Sequence, residues 1–312
     1  MKIVVALGGN ALVSASHESI LDQFEAVEAF APHLVELIEA GHDVVLTHGN
    51  GPQVGYILRR SELSLAEVSP VPIDFAVGDT QGAIGHMFLL ALRNELTRRG
   101  VVRSVASLVT EVLVSGEDPA FTTPSKPIGS FFSEARAREL AAEFGWRVAE
   151  DSGRGWRRVV ASPAPVEIAE AASIGTLLDA RTLVIACGGG GIPVVREPDG
   201  LLRRVEAVVD KDHTSALLAH QIDADLLVIL TTIDRVAVGF GRVDERWLST
   251  VTTAEMRDFL AAGEFGSGSM QPKVEAALRF VGGSPLWARV AIITSPAELV
   301  RAVHGDSGTR IC

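Results

Sequence analysis

The feature that most restricts the fold is a set of short apolar runs without polar alternation. Lys2 to Leu7, Asp43 to Thr47, Thr182 to Ala186, Leu226 to Leu230 and Arg289 to Ile293 are each about one strand long. A strand that hides one face alternates apolar with polar residues, whereas an unbroken apolar run must be covered on both faces, as in a parallel sheet. The stretches between them carry helical spacing: Leu21, Phe24 and Val27; Phe88, Leu92 and Leu96; Val274, Leu278 and Val281. Strands alternating with helices predict an α/β chain, a three-layer αβα sandwich around a mostly parallel open sheet. Gly41 and Gly100 fall where helices should end, and Pro32 is expected to break the first long helix.

From about Glu117 to Pro165 the rhythm fails. Five prolines and an Asp151-Ser152-Gly153-Arg154-Gly155 turn lie here, the turn flanked by β-prone residues 147–150 and 156–160. This reads as a hairpin, either in a small subdomain protruding over the active face or in a merely decorative insertion.

With 312 residues and 47% hydrophobic content, the chain can bury a large core as one continuous unit. A net charge of −11 and the lack of an aromatic platform argue against nucleic acid as a partner. No apolar stretch is long enough for a membrane span and no leader precedes the first strand, so the expected location is cytoplasmic. Two cysteines, Cys187 and Cys312, offer neither a disulfide framework nor metal-ligand spacing, and Cys187 reads as small core filler.

Chemistry enters with glycine turns at strand ends: Leu7-Gly8-Gly9-Asn10, His48-Gly49-Asn50-Gly51 and Cys187-Gly188-Gly189-Gly190-Gly191. Such turns let backbone N–H groups approach an anion, aided by the following helix dipole, although close helix packing also selects glycine. Neither the dinucleotide fingerprint nor the common P-loop is present, which disfavours NAD and leaves a phosphate site assembled from several strand ends. Lysine is rare beside arginine, so Lys126, Lys211 and Lys273 stand out, with solvated surface positions as the plain alternative. Asp210 reads as a helix N-cap and His48 as a structural hydrogen bonder. Arg154, Arg157 and Arg158 either solubilise the hairpin or, through Arg158, gate a substrate.

These motifs, with Thr80-Gln81-Gly82-Ala83-Ile84-Gly85, Lys126-Pro127-Ile128-Gly129, Val209-Asp210-Lys211-Asp212 and Gly268-Ser269-Met270-Gln271-Pro272-Lys273, resemble those of carbamate kinases in the amino acid kinase family. The resemblance spans nearly the whole chain. It implies reversible phosphoryl transfer between ATP and carbamate, with ADP and carbamoyl phosphate on the other side and Mg2+ bridging the phosphates. By resemblance, Lys126, Lys211 and Lys273 are catalytic and Asp212 orients them. The backbone amides of Gly8, Gly9, Asn10, Gly49, Asn50 and Gly51 would bind carbamate and the γ-phosphate. The nucleotide would contact Lys211, Lys273, Thr231, Asp234, Val236 and Met270. No metal ligand from the chain is expected.

The resemblance also implies an N-terminal acceptor lobe (about 1–205, with the protruding subdomain at about 117–165), a C-terminal nucleotide lobe (about 206–312) and a homodimer. The apolar helix from Phe75 to Leu96 would then supply either the shared surface or core packing. Ala6 stands where related kinases carry a lysine, a loss for which Lys126 would compensate. Gln271 replaces a usual glycine and would crowd the phosphates or hydrogen-bond one; His86 replaces tyrosine. Alternatives are a different small acceptor, or a weakly catalytic nucleotide or carbamoyl phosphate sensor.

Overall fold

The computed structural model describes residues 1–8, 19–151, 153–266, 270–282 and 289–312. Its first half runs β1 (Lys2–Leu7), α1 (Ile20–Glu39), β2 (Asp43–His48), α2 (Gln53–Leu63), α3 (Ile73–Arg99), β3 (Val105–Ser107), β4 (Glu111–Val114), α4 (Pro119–Thr122), β5 (Lys126–Phe132), α5 (Glu134–Phe144), β6 (Arg147–Glu150), β7 (Trp156–Val160) and β8 (Pro165–Ile168). Next come α6 (Ala171–Asp179), β9 (Leu183–Ala186), β10 (Ile192–Arg196), β11 (Leu202–Arg204), α7 (Lys211–Gln221) and β12 (Leu226–Leu230). The chain ends with β13 (Ala237–Val238), β14 (Arg246–Trp247), β15 (Thr250–Val251), α8 (Thr253–Ala261), α9 (Met270–Gly282), β16 (Val290–Thr294), α10 (Leu299–His304) and β17 (Thr309–Ile311).

Eight strands form the central sheet in the order β15-β17-β16-β12-β1-β2-β9-β3, parallel except between β16 and β17. Its strands β1, β2, β9, β12 and β16 are those expected from the unbroken apolar runs, whereas the short β3, β15 and β17 have no counterpart in the sequence reading; both faces are covered. Ile3, Val5 and Leu7 of β1 pack with residues of α1, α3 and α10, while Val4 and Ala6 pack with those of α6, α7, α8 and α9. Because side chains alternate across a strand, the run Ile3 to Leu7 feeds two separate cores, which is why none of those positions is polar. The mostly parallel sheet between two helical layers is the expected sandwich.

Pro32 does not break α1, contrary to expectation; the helix runs through it. Proline removes the N–H that would pair with the Glu28 carbonyl, a local cost of about 3 kcal/mol in an exposed helix. Val27, Phe30, Ala31, Leu34 and Val35, all buried on either side of it, hold the helix to the sheet against that cost. Ser19 and Asp22 form a capping box that fixes its start. Gly100 ends α3 in the left-handed conformation, and Gly41 adopts the same conformation just beyond α1.

The excursion is a small antiparallel sheet, β5-β7-β6, with α5 beside it; the expected hairpin is β6–β7, and β5 adds a third strand. A second minor sheet, β11-β10-β4-β8, has no counterpart in the sequence reading. Its strands are short, and β11 is exposed throughout, so hydrophobic periodicity gave no sign of it.

Candidate active site

Lysine chemistry and glycine backbone meet where the central strands end. The carboxyl ends of β1, β2 and β12 and the entry to α7 open into a cleft of about 1070 Å³, with β5 of the small sheet forming its opposite wall. Open parallel sheets place ligands at this edge because strand-to-helix turns converge there.

Two carboxylates organise the cations. Asp212, in the first turn of α7 with a side chain only 4% exposed, receives Lys211 on Oδ1 and Lys273 on Oδ2, the latter at 2.9 Å. Asp210 is the N-cap expected of it: its Oδ1 accepts the Asp212 N–H at 2.9 Å, while its Oδ2 faces Lys126 of β5 at 3.7 Å. All three lysines and both aspartates line the one cleft. Burial alone would raise the Asp212 pKa, but Lys211 and then Lys273 outweigh it and hold the carboxyl below its usual range. Burial pulls the Lys211 ammonium below the ordinary lysine value, while Asp212 works in the opposite direction. Two cations share one buried anion, so the pocket carries uncompensated positive charge that a phosphate would neutralise.

Gly8, Gly49, Asn50 and Gly51 also line the cleft; Gly9 and Asn10 lie outside the described residues. The backbone of Gly49 is not offered to a ligand as expected. Its N–H donates to the Leu7 carbonyl at 2.9 Å, because β1 and β2 pair through Leu7 and His48 and the next amide continues that ladder. Asn50 contributes a side chain that sequence reasoning overlooked: its Nδ2 donates to Thr80 Oγ1 at 3.1 Å. His48 is buried and structural, with Nδ1–H donating to the Gly49 carbonyl at 2.9 Å. Burial drops its pKa to about 4, with the Lys211 charge adding to the effect, so the ring is neutral at physiological pH.

Of the residues expected near adenine, Thr231 and Met270 line the cleft. Val236 does not: it is fully buried, its N–H given to Thr309 Oγ1 at 2.8 Å. Asp234 is exposed off the wall, its carbonyl accepting from Thr294 Oγ1. Ile233, Ala237, Phe240 and Phe265 form the apolar wall instead. Phe240 between Gly239 and Gly241 was the available signal, since an aromatic is seldom carried on so open a turn without a surface to cover.

Gln271 neither crowds the cleft nor lines it. Its side chain turns along α9 and donates to Glu275 at 2.8 Å. His86 is exposed on α3, away from the cleft lining. In the arginine cluster, Arg157 rather than Arg158 reaches the cleft. Arg157 donates to Asp151 and to the Gly129 carbonyl, both at 3.1 Å, and lies 4.9 Å over the Phe131 ring. Arg158 pairs with Glu206 at 2.6 Å and covers Trp146, and burial lowers its pKa.

The Cys187–Gly191 turn forms part of the floor, where Gly189 lines the cleft. Cys187 is buried core filler as expected, yet its backbone is left-handed, as is that of Gly189, and Gly190 and Gly191 also have positive φ. Side chains cannot replace these glycines: a Cβ on Gly189 would overlap the Asn50 carboxamide, and one on Gly190 the Val209 carbonyl.

A model of the amino acid kinase family matches residues 1–291. The carbamate kinase of Pyrococcus horikoshii is 44% identical over 99% of this chain and 98% of that protein. "Carbamate kinase-like protein YqeA" of Escherichia coli is 46% identical over 100% and 99%, respectively. Among solved structures, carbamate kinase from Giardia lamblia bound to AMP-PNP superposes with a TM-score of 0.94 at 39% identity, covering 99% of this chain and 98% of that one. By motif order, sheet topology and these full-length matches, the chain belongs to the amino acid kinase family, alongside its carbamate kinases.

Proposed function

We propose that this protein is a carbamate kinase, an ATP-dependent phosphotransferase that moves a phosphoryl group between ATP and carbamate. The observation that carries this reading is the meeting of Lys126, Lys211 and Lys273 in one cleft, two of them on a shared buried carboxylate. Phosphoryl transfer asks little covalent work of a protein; in-line placement and neutralisation of the equatorial oxygens supply most of the acceleration. Carbamate is already an anionic oxygen nucleophile, so it needs no general base. Neutral, buried His48 is not positioned as one, its Nδ1–H being committed to Gly49.

In this reading the nucleotide lies in the C-terminal half of the chain, with its base against Ile233, Ala237, Phe240 and Phe265 and its phosphates toward Lys211 and Lys273. Carbamate lies in the N-terminal half, between Gly51 and the Asn50 side chain below and Lys126 above. The β5-β7-β6 subdomain supplies that upper cation from a separate sheet. Magnesium enters as part of the nucleotide substrate. The cleft carboxylates are already engaged, Asp212 by two lysines, Asp210 by the cap and Lys126, and Glu264 by the Gly239 N–H and Arg242.

A homodimer fits the exposed stripe of α3, where Phe75 is 58% and Leu90 41% exposed beside Ala83 and His86. A cytoplasmic setting fits two free cysteines and the lack, among the described residues, of any helix long and apolar enough to cross a membrane. Arginine metabolism is the proposed context, with the transfer reversible.

The test is ATP formation from carbamoyl phosphate and ADP by purified protein, with a panel of small amino acids and acyl phosphates alongside. Turnover restricted to carbamoyl phosphate supports the proposal. Exclusive turnover of another acceptor would favour a different small-acceptor kinase, and binding without any turnover a sensor.

A further inference from the structure

We propose that Thr80 and Gln81, consecutive on α3 and one layer beneath the cleft, are positioning residues that aim the Asn50 carboxamide at the acceptor. Both are buried, at 1% and 3% exposure, and neither lines the cleft. Thr80 Oγ1 donates to the Val77 carbonyl at 2.6 Å, which leaves its lone pair as the acceptor for Asn50 Nδ2. The hydroxyl is therefore fixed in direction and holds one edge of the carboxamide.

Gln81 sets the other side through the glycine turn. Its Oε1 accepts the Thr110 N–H at 2.8 Å, and its Nε2 donates to the carbonyls of Thr110 at 3.1 Å and Gly188 at 3.0 Å. Thr110 Oγ1 in turn accepts the Cys187 N–H at 3.0 Å. With four consecutive glycines, this turn has little stiffness of its own, and the glutamine supplies it. The anchored turn packs Gly189 against the Asn50 carboxamide and Gly190 against Val209, just ahead of Asp210 and Lys211, while Thr214 Oγ1 of α7 donates to the Gly190 carbonyl at 2.9 Å. Asn50 is thus clamped between a hydroxyl and a backbone turn that are both referenced to one helix, and the same turn abuts the lysine-bearing end of α7.

The catalytic consequence rests on the carbamate kinase reading; the placement of Asn50 does not. Thr80→Val keeps the shape and removes the hydroxyl, both as acceptor for Asn50 and as donor to the Val77 carbonyl. The lost bond to the Val77 carbonyl lies within α3 and should appear as stability, while loss of the Asn50 bond should lower kcat for ATP formation from carbamoyl phosphate about tenfold, one hydrogen bond's worth of placement, and leave ADP affinity by calorimetry within about twofold. Thr80→Ser should restore the rate. In the double variant with Asn50→Ala, the Thr80→Val loss should vanish, because the hydroxyl acts through that carboxamide. An additive double variant, or a Thr80→Val enzyme with unchanged kcat, overturns the proposal.

Gln81→Glu keeps the Thr110 acceptor but sets a carboxylate against two carbonyl oxygens; it should reduce kcat more than ADP affinity, and equal losses count against a positioning role. The crystal structure of Thr80→Val decides the matter even if the wild type fails to use carbamoyl phosphate, an outcome that would defeat only the assigned reaction. A carboxamide turned from its present position supports the proposal, and an unmoved one refutes it.

Discussion

Replacing Asp212 by Asn tests the cation cluster most directly. The substitution preserves size and removes the one negative charge that Lys211 and Lys273 share at a nearly solvent-free position. Breaking a buried ion pair by deleting one partner costs about 3–5 kcal/mol, since the remaining charge is left uncompensated. Unfolding entropy near 60 °C is about 2.1 cal/mol/K per residue, so for a chain of this length the loss corresponds to a fall in Tm of about 5–8 °C. Added ADP should recover part of it, because its phosphates supply the missing negative charge, and the recovery should exceed the shift that ADP gives the wild type.

The pH dependence has a defined sign. A carboxyl whose pKa is depressed on folding stabilises the protein above its unfolded value, and that contribution disappears as pH falls through the folded value. The wild type should therefore lose stability on acidification below about pH 4, and the Asn variant should show less of that loss. Burial already lowers the Lys211 pKa, and removal of Asp212 lowers it further, so the alkaline limb of the rate profile should move to lower pH in the variant. Differential scanning fluorimetry with and without ADP, and ATP formation across pH, provide the measurements. A variant within about 1 °C of wild type and with an unshifted rate profile would refute the charge-sharing account.

Gly190→Ala places a Cβ against the Val209 carbonyl at a left-handed backbone position; a loss of more than about 2 kcal/mol in urea unfolding is expected, with activity falling alongside. Pro32→Ala restores an N–H to the interior of α1 and should raise stability by about 1–3 kcal/mol in the same assay. Gln271→Gly should leave the nucleotide KM within about twofold, since the side chain faces Glu275, and a larger change in steady-state kinetics would mean that it reaches the phosphates.

The central strands were legible because residues such as Val4 and Val5 must satisfy opposite cores, and no polar side chain could do so. The lysines were legible through motif order. The direction of individual groups was not: whether Gly49 offers its amide depends on strand register, which places that N–H on Leu7. Arg157 and Arg158 are neighbours in an antiparallel strand, so alternation alone sends one into the cleft and the other to Glu206 and Trp146, and which goes where follows from β5–β7 pairing. The apolar wall was blurred for a related reason, as Val236 and Ala237 differ by one position but only Ala237 faces the cavity.

The wall of the cavity that carries Lys126, Ile128, Ser130 and Phe131 is built on a three-stranded sheet that shares no ladder with the eight-stranded one. The appendage is joined to the main body by side chains instead: Ile128 and Val160 share a buried cluster with Leu58, Ile73, Ala76 and Val208, and Lys126 faces Asp210. With no backbone ladder across the seam, exposed positions on that wall, such as Phe131, can vary without touching the register of the eight strands, whereas Ile128 and Val160 cannot change size without disturbing the interior.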